Sequence, residues 1–216
     1  MPKPDRITIQ CARCRRAGEK LFLKGDKCFT VKCPLTRRGF PPGQHGPTKR
    51  VRLTGYGEQL KEKQKAKRVY GLRERQFSNY VAKAAKRKGN TAEGLLKFLE
   101  KRLDNVVYRL GLAKSRESAR QIVSHRHILV NNKRVNIPSF QVEPDQVISI
   151  AEKSQSKKIF ENLPQTLAKH EVPAWLSLDV GKLTGKVLSE PKVEGMQVNF
   201  DPKKIYAIDP ALVYDS

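Results

Sequence analysis

No stretch of this 216-residue chain approaches the roughly 18 consecutive apolar residues that crossing a bilayer requires, so a membrane-spanning protein is not expected. The opening residues, Met-Pro-Lys-Pro-Asp-Arg, hold no apolar stretch of the secretory kind, and a cytoplasmic protein is the expectation. No nucleophile elbow, phosphate-cradling glycine loop or His-Glu metal motif occurs, which argues against an enzyme and a small-molecule substrate. Hydrophobic residues make up 38%, below the usual share of roughly 45–50% on a slightly wider count. That suffices for small cores, not for one thick core along the whole chain. Acidic residues are also scarce: 21 Asp and Glu stand against 44 Lys and Arg, a formal charge of +23.

A chain this basic repels itself, so its working state is expected to include a polyanion. Residues 1–100 hold 26 basic and 8 acidic side chains, residues 101–171 hold 13 and 7, and residues 172–216 hold 5 and 6. The N-terminal half is therefore expected to touch the polyanion most, and the C-terminal tail least.

Cysteine is missing from everything beyond residue 33. All four lie together as Cys11-x2-Cys14-x13-Cys28-x4-Cys33. Two close pairs joined by a loop suit one tetrahedral zinc ion, closed by four thiolates and structural in role. Two disulfides or four unrelated buried thiols are the alternatives, the first disfavoured where no secretory signal is seen, the second because chance thiols rarely cluster as two pairs. Between the pairs, Leu21–Lys27 reads as a short strand, a turn and a return. Arg13, Arg15, Arg16, Lys24, Lys27 and Lys32 surround the cluster and offset the charge of a four-thiolate centre.

Residues 36–47, with Arg37, Arg38, Gln44 and His45, are too rich in Pro and Gly for regular structure. They read as an ordered loop pressed against phosphates. From Tyr56 to Lys88 the pattern is helical, with Gly71 separating two helices. Lys61, Lys63, Lys65, Lys67 and Arg68 read as a phosphate-tracking face, and Tyr70, Phe77 and Tyr80 as core. Asn90 offers a cap for a helix whose apolar stripe runs from Leu95 to Leu110.

Residues 102–150 form the most informative stretch. One amphipathic helix ends at Gly111, and a second, capped by Ser115, turns Ala119, Ile122 and Val123 inward. Two short β-rich runs follow, Ile128–Val130 and Arg134–Ile137, joined by an Asn131-Asn132-Lys133 turn, and then a strand at Val147–Ile150. Two helices on a hairpin would gather Lys114, Arg116, Arg120, Gln121, His125, Arg126, His127, Lys133 and Arg134 into a basic, RNA-binding patch.

Several motifs here resemble, in order, those of the bacterial-type small-subunit ribosomal protein family conventionally numbered four. They are Phe40-Pro-Pro-Gly-Gln-His-Gly46, Lys61-Glu-Lys-Gln-Lys65, Tyr70-Gly71, Arg102-Leu-Asp-Asn-Val-Val-Tyr-Arg-Leu-Gly111, Ser115-Arg116, Ala119-Arg-Gln121 and Val135-Asn-Ile-Pro-Ser139. The cysteines are similar to those of its zinc-binding members. The resemblance implies an early-assembling binder of 16S ribosomal RNA at a junction in the 5′ domain. It also implies contact with small-subunit ribosomal protein number five and other subunit proteins, and an influence on translational accuracy. Arg126 stands where the family usually has Gly, Asn131-Asn132 replaces the usual Asn-Gly and asks Asn132 for a positive φ, and residues 205–216 depart from the usual ending.

The expectation is an α+β protein. Residues 1–48 form a zinc knuckle and basic loop, and residues 49–101 a helical domain. Residues 102–171 form a compact two-helix plus β-hairpin RNA-binding module, and residues 172–216 a segment returning to complete the helical domain, with Pro173-Ala-Trp175 packing there. An RNA-modifying enzyme carrying the same module would need a catalytic domain for which the remaining chain is too short and too basic. A zinc-containing DNA-binding protein is the other rival.

Overall fold

The computed structural model describes residues 6–48, 52–157, 159–161, 163–167, 170–192, 200, 201 and 205. It divides into two units, residues 1–95 with 197–216, and residues 96–196.

In the first unit, helix α1 (Arg6–Ala17) precedes a single 3-10 turn at Gly25–Cys28, and α2 (Pro34–Arg37) starts on proline. The strand expected at Leu21–Lys27 is not formed. Phe22 adopts φ 50°, which breaks an extended run, while Leu21 turns into the core. Helix α3 (Gly55–Val69) begins where the Thr54 hydroxyl accepts a hydrogen bond from the Gly57 amide, 3.2 Å. It ends at Gly71, whose φ of 61° lets the Leu72 amide reach back to the Lys67 carbonyl, 2.9 Å. Helix α4 (Glu74–Ala85) follows and buries Phe77 and Ala84. Tyr70 is buried with its ring edge-on to Phe200, 6.2 Å between centroids. The Asp201 amide donates to Glu62 at 3.0 Å.

The apolar stripe read from Leu95 to Leu110 is carried by two helices. Helix α5 (Thr91–Glu100) and α6 (Leu103–Arg109) are separated by Arg102, which is extended (φ −67°, ψ 135°) and bridges to Gln141. In the second unit α6 and α7 (Arg116–Ser124) pack together, and their apolar faces share a core with an antiparallel sheet. The strands are β1 (Ile128–Val130), β2 (Lys133–Arg134), β3 (Val147–Ile150), β4 (Leu176–Asp179) and β5 (Thr184–Val187), in the order β2-β1-β3-β5-β4. Ile128, Val130, Ile148 and Ile150 alternate inward along β1 and β3. Two one-turn helices, α8 (Glu152–Gln155) and α9 (Leu163–Leu167), connect β3 to β4.

The sheet corrects the reading of residues 172–216 as one returning segment. Ile148 pairs with Gly185, and Trp175, Leu176 and Val187 belong to the core of the second unit. The physical reason is that β3 without β5 would leave an open, half-apolar edge. Gly185 is required at that register, because a Cβ there would lie 2.5 Å from the Leu110 side chain. Of the expected return, Phe200 and Asp201 do lie with the first unit. Of the divergent ending, residues 205–216, Ile205 is buried, and residues 206–216 lie outside the described residues.

Candidate nucleic-acid interface

The Ser115 hydroxyl accepts from the Ser118 amide at 3.2 Å and starts α7. The helix stops by a hydrogen-bonded reversal. The Arg126 amide donates to the Val123 carbonyl at 2.9 Å and the His127 amide to the Ile122 carbonyl at 3.2 Å. Arg126 therefore holds φ 61° in a position that favours glycine, and projects as an exposed cation beside exposed His125. The hairpin turn places Asn131 at φ 47° and Asn132 at φ 62°, the positive pair that a tight primed turn needs. The turn is pinned by the Val147 amide donating to the Asn131 side chain, 2.9 Å. Lys133 and Arg134 leave this turn exposed. Lys114 and Gln121 are exposed as well.

Arg116 and Arg120 are more tightly held than a surface patch implies. Asp104 accepts from Arg102 at 2.7 Å and from Arg120 at 2.9 Å, and Asp104 and Arg102 are both buried. Arg116 donates to the Asn105 side chain at 2.8 Å and lies over the Tyr108 ring, 4.5 Å from its centroid. Asn105 in turn donates to Glu100 at 2.9 Å, and Glu100 takes a forked pair from Arg109. Arg116 and Arg120 thus reach the surface as rigid forks with little rotamer freedom left to lose. Sequence reasoning missed this scaffold, although an Asp and an Asn inside an apolar stripe (Leu103-Asp-Asn-Val106) were the available signal.

His127 is a correction. It is buried, its Nδ1 lies 2.9 Å from the Ser154 hydroxyl, and its ring meets Phe160 edge-on. Burial, with Lys157 and His125 nearby, lowers its pKa, so it is held neutral in the core.

The lysine face of α3 is a second correction. Lys63 and Lys65 are buried. Lys63 is paired with Glu74, and Lys65 lies 2.7 Å from both Glu19 and Glu62. Burial alone would lower the Lys65 pKa, but its two carboxylate partners raise it. Lys67, half-buried, pairs with Glu74 at 2.7 Å, and the two lysines hold the Glu74 carboxyl below its usual range against the effect of burial. The physical reason is pairing with carboxylates: Glu74 draws Lys63 inward, and Glu19 together with Glu62 draws Lys65 inward. Lys61 is half-buried. Arg68 is half-buried too, its pKa lowered by burial and by the charges of Arg13 and Arg16, a like-charge cluster suited to an anion.

Arg37, Arg38, Gln44 and His45 are exposed. Their loop is clamped by Arg15, whose Nε donates to the Phe40 carbonyl at 3.0 Å and whose Nη2 donates to the Pro41 carbonyl at 3.3 Å. The Arg15 guanidinium also lies 4.9 Å from the Phe40 ring centroid. Gly46 closes the loop, and a Cβ there would collide with the Pro41 carbonyl.

Cys11, Cys14, Cys28 and Cys33 are free thiols lining one cavity, the last three buried. Burial raises the pKa of Cys14, which also feels the other three sulfurs. The Lys24 amide donates to the Cys28 sulfur at 3.4 Å. Among the described residues, no group of three or more His, Cys, Asp or Glu side chains is gathered tightly enough to hold an ion as it stands.

Residues 7–100 match the ribosomal protein S4/S9 N-terminal domain, and residues 101–148 match the S4 domain. Small ribosomal subunit protein uS4 of Thermoanaerobacter sp. strain X514 is 55% identical over 184 residues, 85% of this chain and 88% of that protein. The chain belongs to the uS4 family. The uS4A protein of Clostridium botulinum type A is 53% identical over 191 residues, 87% of this chain and 90% of that one. That of Nitrosomonas europaea is 51% identical over 186 residues, 86% and 89% of the two chains. Membership of the uS4 family makes the chain a structural, RNA-binding constituent of the small ribosomal subunit, in the bacterial cytoplasm, and not an enzyme. No helix among the described residues is long and apolar enough to cross a membrane.

Proposed function

We propose that the chain is a primary binder of 16S ribosomal RNA at a junction in the 5′ domain. There it nucleates subunit assembly and, with ribosomal protein number five, influences translational accuracy. One observation carries most of this reading: Arg126, Lys133 and Arg134 are exposed at backbone turns whose hydrogen bonds fix them before RNA arrives, with Lys114 exposed as well. The major groove of A-form RNA is too narrow for side chains, so fixed cations of this kind read phosphate positions and 2′-hydroxyls, that is, junction shape. The clamped loop with Arg37, Arg38, Gln44 and His45 supplies a second rigid set. Each unit holds buried apolar residues of its own, which suits binding early, ahead of protein partners. Hydroxyl-radical footprinting of the 16S 5′-domain RNA by the full chain tests the location. Protections are expected to cluster where several helices meet; protections spread along simple duplex stretches would count against it.

We propose that the four cysteines draw together around one structural zinc ion. Four soft sulfur donors share a cavity, Lys24 and Lys27 line it with compensating charge, and no further donor is needed to close a tetrahedron. When bound, zinc supplies a cross-link between the two cysteine pairs. Protein purified under reducing conditions is expected to carry one metal ion per chain, and Cys11→Ser to release it. Hydrogen exchange should then rise through residues 6–40 while the second unit keeps its protection. No metal, together with four freely reactive native thiols, would overturn the assignment.

A further inference from the structure

Phe29 is 73% exposed, a large apolar ring with nothing covering its outer face. Its other face is not idle. The Phe22 ring lies behind it, 4.9 Å between centroids and inclined by 28°. Phe22 accepts φ 50° to be there, a left-handed conformation that disfavours any non-glycine residue. The Phe29 amide is tied to the Asp26 carbonyl at 3.1 Å, so the ring stands on a fixed turn. Its chain neighbours are mostly polar or charged: Asp26, Lys27, Thr30 and Lys32 are exposed, and Val31 is exposed with them. Core packing does not explain a ring this open, and beside it stand two lysines, a threonine and an aspartate with only Val31 as an exposed apolar neighbour, not the continuous apolar surface that a hydrophobic protein partner covers. A flat π-face backed by a second ring and flanked by cations is the arrangement on which an unpaired nucleobase stacks, with its phosphates reaching the lysines.

We infer that Phe29, supported by Phe22 and flanked by Lys27 and Lys32, is a stacking site for an unpaired base of the ribosomal RNA. The site rests on the RNA-binding reading above and adds a contact that does not depend on charge. Stacking releases few counterions, so its loss lowers affinity without altering the salt dependence, whereas loss of a phosphate contact lowers both.

The test titrates the full chain and its variants against 16S 5′-domain RNA at several salt concentrations. Phe29→Ala and Phe29→Leu are each expected to weaken binding about 5- to 100-fold with an unchanged salt slope. Phe29→Trp should bind at least as tightly as the unaltered chain, and RNA should quench its indole beyond the signal of the buried Trp175. Unchanged reactivity of the four thiols checks that the fold around them is kept. Wild-type affinity in both Phe29→Ala and Phe29→Leu overturns the stacking site, while salt-dependent binding by the unaltered chain leaves the RNA-binding reading standing. Full affinity in Phe29→Leu alone overturns it too, since an apolar contact without a π-face would then suffice. Failure of the unaltered chain to bind counts against the broader reading instead.

Discussion

Asp104→Ala is expected to destabilise the second unit by about 3–5 kcal/mol, the usual result of removing one partner from a buried ion pair. Asp104 is 4% exposed and Arg102 2%, so solvent cannot replace the lost carboxylate. Arg120 loses the same acceptor. A domain has about 5–15 kcal/mol of stability in total, so most of its margin would go. Urea unfolding followed by the fluorescence of Trp175, which sits in this core, reads the loss directly. The paired replacement Arg102→Met with Asp104→Leu separates burial of charge from loss of packing and should recover much of the stability. A change below about 1 kcal/mol in Asp104→Ala would mean that the network is ornamental.

Replacing Lys133 and Arg134 by alanine is expected to act on RNA and hardly on the fold. Both are exposed, and the hairpin is held by backbone pairing and by Asn131. Removing two phosphate contacts should reduce the slope of log affinity against log salt by about two, with at least a tenfold loss of affinity at low salt. Lys63→Ala and Lys65→Ala should do the reverse. Lys63→Ala leaves Glu74 with Lys67 alone, and Lys65→Ala leaves Glu19 and Glu62 without their shared ammonium, so each costs stability, yet leaves the salt slope nearly unchanged. Filter binding across a salt series distinguishes the two pairs. A slope change from the α3 lysines, with none from the hairpin, would exchange their roles.

Where the sequence was informative, local rules sufficed. Gly71 marks a helix end because only a positive φ lets the chain reverse there, and Ser115 caps because its hydroxyl reaches a free amide. Asn132 at positive φ was required by the turn alone. Legibility failed where a distant partner decides. Nothing within Lys61–Arg68 reveals that Glu19 and Glu74 will draw Lys65 and Lys63 inward. Nothing near His127 announces Ser154 and Phe160. Strands β4 and β5 were invisible for a related reason: Leu176–Asp179 and Thr184–Val187 are short, and their place beside β3 is settled by long-range pairing. Arg126 is the instructive case, since composition marks it as a phosphate ligand while its backbone shows the cost of keeping it there.

Exposed cations on fixed turns are proposed to bind structured ribosomal RNA. Titrating the full chain into 16S 5′-domain RNA, with an equal mass of duplex DNA as competitor, tests this binding most directly. Affinity is predicted to fall by about a thousandfold or more between about 50 and 200 mM salt, as six or more phosphate contacts require. Preference for the structured RNA should persist at each step. An affinity flat across that range, or equal capture by the duplex, would contradict the account.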